Sequence, residues 1–129
     1  MARMIEQIDS PNVGICLDTV NSFGALEGPE VVVAELGPHV VNVHVKDFFI
    51  RRPAHKMGFT VEGRPAGKGR LDVPWLLETL RGMGRMPNVI LELWTPPQET
   101  LQETIALEDD WARSSVDYLS RLMPEGFQE

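Results

Sequence analysis

Val41-Asn42-Val43-His44-Val45-Lys46-Asp47 has the length of one strand and alternates with period two. Val41, Val43 and Val45 share one face and Asn42, His44 and Lys46 the other, because successive strand side chains point to opposite sides. β-Branched residues running straight into an ionisable cluster fit a parallel strand whose C-terminal end opens onto a site. Two further stretches obey the same rule. In Val13-Gly14-Ile15-Cys16-Leu17-Asp18 the aliphatic parity is Val13, Ile15 and Leu17, against Gly14, Cys16 and Asp18. In Val89-Ile90-Leu91-Glu92-Leu93-Trp94 the parity of Val89, Leu91 and Leu93 opposes that of Ile90, Glu92 and Trp94. Singly, each ionisable residue has a plain reading: a capping Asp, a hydrogen-bonded core His, a surface Glu. Together, at successive strand ends, they form a constellation.

The segments between these strands read as helices. Ala2 to Ile8 looks like the last turns of one, broken by Ser10-Pro11-Asn12, so the chain reads as cut from something longer. Thr19 to Gly28 is a loop, and Pro29-Glu30 starts a helix that Gly37-Pro38 stops near Leu36. Asp47 to Arg70 reads as one long functional or mobile loop, with Arg51, Arg52, His55, Arg64, Lys68 and Arg70 among its glycines. Asp72 caps the next helix, whose apolar stripe is Val73, Leu76, Leu77 and Leu80. After Pro96-Pro97 a long helix runs from about Gln98 to Leu122, with Leu101, Ile105, Ala112, Leu119 and Leu122 on or near its buried side and Glu108-Asp109-Asp110 solvated. The order βαβαβα implies right-handed parallel crossovers. Either a small open sheet or part of a (β/α)8 barrel satisfies it, and the barrel explains the parities better: aliphatics face the helices, mixed side chains face the interior.

The 129 residues fit a single domain, 1–129, and 43% hydrophobic content is ordinary for a globular chain. No apolar run approaches a membrane span, and Met-Ala-Arg-Met-Ile-Glu has no apolar signal region, so a cytoplasmic protein is expected. Cys16, alone and inside a strand, reads as a buried, inert thiol. A net charge of −7 argues against a nucleic-acid or anionic-membrane surface.

Gly14-Ile15-Cys16-Leu17-Asp18-Thr19-Val20-Asn21-Ser22, Val43-His44-Val45-Lys46-Asp47 and Leu91-Glu92-Leu93-Trp94 resemble the later strands of the xylose-isomerase-like TIM-barrel superfamily. That group includes sugar isomerases and epimerases, inosose and dehydroshikimate dehydratases, and endonuclease IV. Gly67-Lys68-Gly69-Arg70-Leu71-Asp72 resembles its glycine-containing run before the next helix. The resemblance implies an α/β fold in which parallel βα units form the C-terminal part of a (β/α)8 TIM barrel, incomplete in this chain. It also implies a divalent cation held by a Glu, an Asp, a His and a second Glu at strand ends. Asp18, His44 and Glu92 match the last three, and the first Glu belongs to an earlier strand. Such an oxygen-rich set with one imidazole favours Mn²⁺ or Mg²⁺, with Co²⁺ as a further candidate.

Asn21 stands where many relatives carry a second histidine. With only His39, His44 and His55 available, a trinuclear zinc centre cannot be assembled, which disfavours the endonuclease branch. Asn21 bonds either a substrate hydroxyl or its own backbone. Lys46 binds a substrate carboxylate or pairs with Asp47 or another carboxylate. Arg51 or Arg52 reaches over the site as a substrate-binding arginine does in the ketose epimerases. Gly63 to Arg70 either cradles a phosphate through backbone N–H groups or is a plain flexible loop. Trp94 stacks on a sugar ring or lids the pocket; Trp75 and Trp111 pack, His39 is structural and His55 is solvated.

The implied function is a divalent-metal-dependent sugar isomerase/epimerase-like enzyme, acting on a keto-sugar or sugar acid through an enediolate. Glu92 is then acid/base as well as ligand, and Lys46 is the second catalytic candidate. Alternatives are a metal-dependent decarboxylase of a 3-keto sugar acid, a dehydratase, or a non-catalytic truncated barrel fragment. The expected partners are a small sugar or sugar-acid substrate and either a second copy or a missing N-terminal barrel portion.

Overall fold

A computed structural model describes residues 1–55 and 57–127. Its elements are α1 (Ala2–Ile8), β1 (Ile15–Asp18), α2 (Pro29–Leu36), β2 (Val40–Val45), β3 (Asp47–Arg51), β4 (Thr60–Arg64), α3 (Val73–Gly82), β5 (Asn88–Leu91) and α4 (Leu101–Leu122). β1, β2 and β5 form one sheet in that spatial order, with β1 and β2 parallel; β3 and β4 form an antiparallel pair. This is the α/β fold with parallel strands that the three stretches predict. No helix among the described residues is long and apolar enough to cross a membrane.

The chain divides into two compact units, one made of Met1–Val45 with Val73–Ile90, the other of Lys46–Asp72 with the chain from Leu91 on. In the first, Pro29 opens α2 and Glu30 lies in its first turn, where the helix dipole favours an acid. α2 buries Val32 and Val33, and α3 buries Val73, Leu76, Leu77 and Leu80, the stripe read from the sequence. Each fully buried aliphatic contributes roughly 1.5–3 kcal/mol. Gly37 ends α2 where a Cβ would meet the Met83 sulfur at 2.5 Å.

The strands correct two expectations. Ile15 pairs with Val40, but Cys16 pairs with Asn42, so the register slips past Val41. Such a bulge shifts the alternation by one residue. Val40, Val43 and Val45 are therefore the buried valines, and Val41 is 51% exposed. Val41 lies over Gly14, where a Cβ would meet its side chain at 2.5 Å. Cys16, expected to be buried, is an exposed free thiol whose sulfur accepts from Asn42 Nδ2 at 3.3 Å. Its parity is as read, but the sheet face opposite the buried valines is open to solvent, and Ile90 is exposed too.

In the second unit, the segment read as one long loop contains the β3–β4 pair. Its register opposes Phe48 to Gly63, Phe49 to Glu62 and Ile50 to Val61. Glu62 ties the pair together: Arg51 reaches it at 2.8 Å and Arg64 at 3.3 Å, with the Arg64 guanidinium 5.5 Å from the Phe49 ring centroid. The basic and glycine content of the segment hides two short β-rich runs. α4 begins at a capping box, in which the Thr100 hydroxyl accepts from Glu103 N–H and the Glu103 carboxylate accepts from Thr100 N–H. Its buried row is Trp111, Ser115 and Leu119. Leu101 and Ile105, expected on the buried side, are 75% and 55% exposed. Ser115 breaks the apolar pattern of the true row, yet is fully buried because its hydroxyl accepts from Ala66 N–H at 2.9 Å.

Candidate functional site

Asp18 is the last residue of β1, and its Oδ1 accepts from the backbone N–H groups of Val20 (2.9 Å) and Asn21 (3.0 Å). This local turn fixes one carboxylate oxygen at the strand end. His44 is the register partner of Asp18 on β2, and its carbonyl accepts from Thr19 N–H at 3.3 Å. Glu92 directly follows β5, the strand beside β2. Asp18, His44 and Glu92 are a group with the chemistry to hold a metal ion: each is half-buried and offers one ligand atom, these atoms lying within 4.8 Å of one another. Ligands at about 2.1 Å from one ion sit within roughly 4.2 Å of each other even when opposite, so at most a slight contraction is needed. Two carboxylates and one imidazole suit a hard divalent cation.

Lys46 points its ammonium at Glu92, with Nζ 2.8 Å from Oε1, rather than at Asp47. Asp47 is engaged elsewhere. Its side chain has a residue exposure of only 4%, and its Oδ1 accepts from Phe48 N–H (2.8 Å) and Leu71 N–H (3.0 Å). Its Oδ2 accepts from Gly67 N–H (2.9 Å) and Gly69 N–H (2.8 Å). The glycine-bearing run is therefore closed around the chain's own carboxylate, which corrects both the phosphate-cradle and the flexible-loop readings. Gly69 must be glycine, because a Cβ there would collide with Asp47 Oδ1 and the Phe48 carbonyl. Gly67 has φ +78° and lies against the Tyr118 ring, so both conformation and space require glycine. Burial, with the charges of Asp47 and Asp72 behind it, pushes the Tyr118 hydroxyl above its usual pKa.

Asn21 is exposed and uses its backbone N–H on Asp18. Arg51 is committed to Glu62, and Arg52 is exposed just beyond β3. Trp94 is exposed, with its carbonyl where a Cβ on Gly63 would be. His39 pairs with Glu6 at 3.7 Å. Asp47 is the important residue that sequence reading misses. A signal for it exists, an Asp at a strand end followed by a Gly-x-Gly run, but its partners lie 20 and more residues downstream.

The family model described as xylose isomerase-like TIM barrel matches residues 1–122. The chain is 44% identical over 116 residues to a protein named 3-oxo-isoapionate decarboxylase from Pectobacterium atrosepticum, covering 90% of this chain and 42% of that protein. It therefore spans less than half the length of that curated relative. Among solved structures, it resembles a xylose isomerase domain protein from Planctomyces limnophilus (TM-score 0.65, 23% identity, 95% of this chain and 42% of the other). It also resembles a xylose isomerase-like TIM barrel protein from Mycobacterium smegmatis in complex with magnesium (TM-score 0.71, 13% identity, 98% and 39%). At those identities the structures speak for the fold, and their partial coverage fits a partial barrel. With parallel strands and a family match over nearly its whole length, the chain belongs to the xylose isomerase-like TIM barrel family.

Proposed function

We propose that this chain carries the site of a divalent-metal-dependent decarboxylase acting on a 3-oxo sugar acid. The observation that carries this reading is the 44% identity over 116 residues to a protein named for that reaction. Asp18, His44 and Glu92 are the proposed metal ligands, supported by their matching places at three strand ends and by the 4.8 Å limit on their ligand atoms. A bound divalent cation supplies Lewis-acid polarisation of the keto oxygen. Lys46, now paired with Glu92, binds the substrate carboxylate and orients it. The bond between the carboxylate carbon and C2 then breaks, and its electron pair moves into a C2–C3 double bond with the charge on the C3 oxygen. Glu92 in its acid form, or water it orients, returns a proton to C2, leaving a ketone and carbon dioxide. Arg51, Arg52, Asn21 and Trp94 are assigned to the rest of the sugar.

Isomerase, epimerase and dehydratase chemistry would draw on the same residues, and the product separates them. The test is incubation of this chain, completed to a full barrel by the missing N-terminal portion, with manganese or magnesium and a 3-oxo sugar acid, followed by carbon dioxide release and product analysis. Metal-dependent carbon dioxide release is expected. An isomeric sugar formed without loss of carbon dioxide would replace this reading with the isomerase one.

A further inference from the structure

We propose that Asp47 is a positioning residue that holds Lys46 in place against Glu92, a role resting on the reading of Lys46 and Glu92 as site residues. Asp47 directly follows Lys46, so whatever fixes the Asp47 side chain fixes the backbone from which Lys46 projects. The Lys46 stem must cross its own length to bring Nζ within 2.8 Å of Glu92 Oε1. A long, rotatable side chain holds one geometry only at an entropic cost, which rises if its backbone also moves. Asp47 removes that second freedom. Each of its oxygens accepts two backbone N–H groups, and the donors come from both sides of a loop: Phe48 next door, and Gly67, Gly69 and Leu71 20 to 24 residues on. Arg70 N–H adds a bond to the Phe48 carbonyl at 2.8 Å, closing the same loop a second time.

The arrangement is stronger than general packing requires. An ionised carboxylate that is nearly all buried carries a large desolvation cost unless its lone pairs are met. Four N–H donors meet them, and two of these come from glycines that no other residue can replace without collision or strain. So much local specification beside a lysine that faces Glu92 points to precision at Lys46.

The test is a double-mutant cycle of Lys46→Met and Glu92→Gln, measured by urea unfolding of the full chain in the wild-type and Asp47→Asn backgrounds. A positioning role predicts that the Lys46–Glu92 coupling falls to roughly half or less in Asp47→Asn. A merely structural clamp would lower the stability of all four forms together and leave the coupling intact, which would overturn the proposal. Because coupling is reciprocal, Glu92→Gln should in turn speed amide hydrogen exchange at Gly67, Gly69 and Leu71 by about threefold or more. This second measurement stands even if Asp47→Asn does not fold, and unchanged exchange would also overturn the role. Neither measurement uses turnover. Intact positioning in a completed barrel that releases no carbon dioxide would refute the decarboxylase reading alone.

Discussion

Glu92 carries two demands at one position: it is a proposed metal ligand, and it receives the Lys46 ammonium at 2.8 Å. Substitutions can separate them. In a completed barrel, Glu92→Gln keeps an oxygen that can coordinate but removes the group that exchanges a proton, so turnover should vanish while part of the metal affinity survives. Steady-state kinetics beside a manganese titration checks this, and wild-type turnover in the variant would exclude the acid/base role. Lys46→Met should mainly raise KM, because the lysine's proposed task is to bind the substrate's anionic group. Asp18→Ala should weaken manganese binding by at least about tenfold, the lower end of what losing even an outer-shell partner costs. The strand-end places of Asp18, His44 and Glu92 could be read from the sequence because alternation along a strand is a local rule and the strand ends are marked by loops. Asp47 could not, since a carboxylate's donors are a tertiary fact and these come from the far side of a loop.

The elements divide the same way, by whether their cause is local. The α3 stripe Val73, Leu76, Leu77 and Leu80 could be read residue by residue, because helical spacing alone puts these side chains on one face. Leu80 is fully buried, so Leu80→Ala should cost about 2–5 kcal/mol in urea unfolding, whereas exposed Leu101→Ala should leave stability nearly unchanged. The slip at Val41 and the β3–β4 pair were hidden for the opposite reason: a bulge and a hairpin exist only through what their partner strand does. The start of α4 lies between these cases, since the Thr100 and Glu103 spacing is a capping signature within one turn. Thr100→Ala should cost about 1 kcal/mol. Tyr118, on the same helix, gives a pH test. Its folded pKa is raised above the unfolded value of 10.0, chiefly by burial, so the folded state holds that proton more tightly. The stabilisation is whole below pH 10.0 and is lost as pH rises through the folded value. Alkaline unfolding of Tyr118→Phe should lack this loss.

At the scale of the molecule, the fold poses a question of association. In the sheet of β1, β2 and β5, the outer two strands are edges among the described residues, and edge backbone groups are templates for pairing. The face that bears Cys16, Val41 and Ile90 is open to solvent, although two of the three are large aliphatics. In a closed (β/α)8 barrel such a face is filled by side chains from the opposite strands. This chain spans 42% of its decarboxylase relative, and its three proposed ligands are one fewer than the four that the family resemblance implies. The chain on its own should therefore self-associate and hold manganese weakly. Size-exclusion chromatography with light scattering should show dimers or larger species, and dialysis should strip the metal. Replacing Val41 and Ile90 together by lysine should shift the chain toward monomer without unfolding it, because both side chains already lie in solvent rather than in the core. If association instead ran through some other surface, the double lysine variant would elute as the wild type does. A monomer that retains manganese tightly would show that three ligands on this sheet suffice, and that the open face needs no second wall.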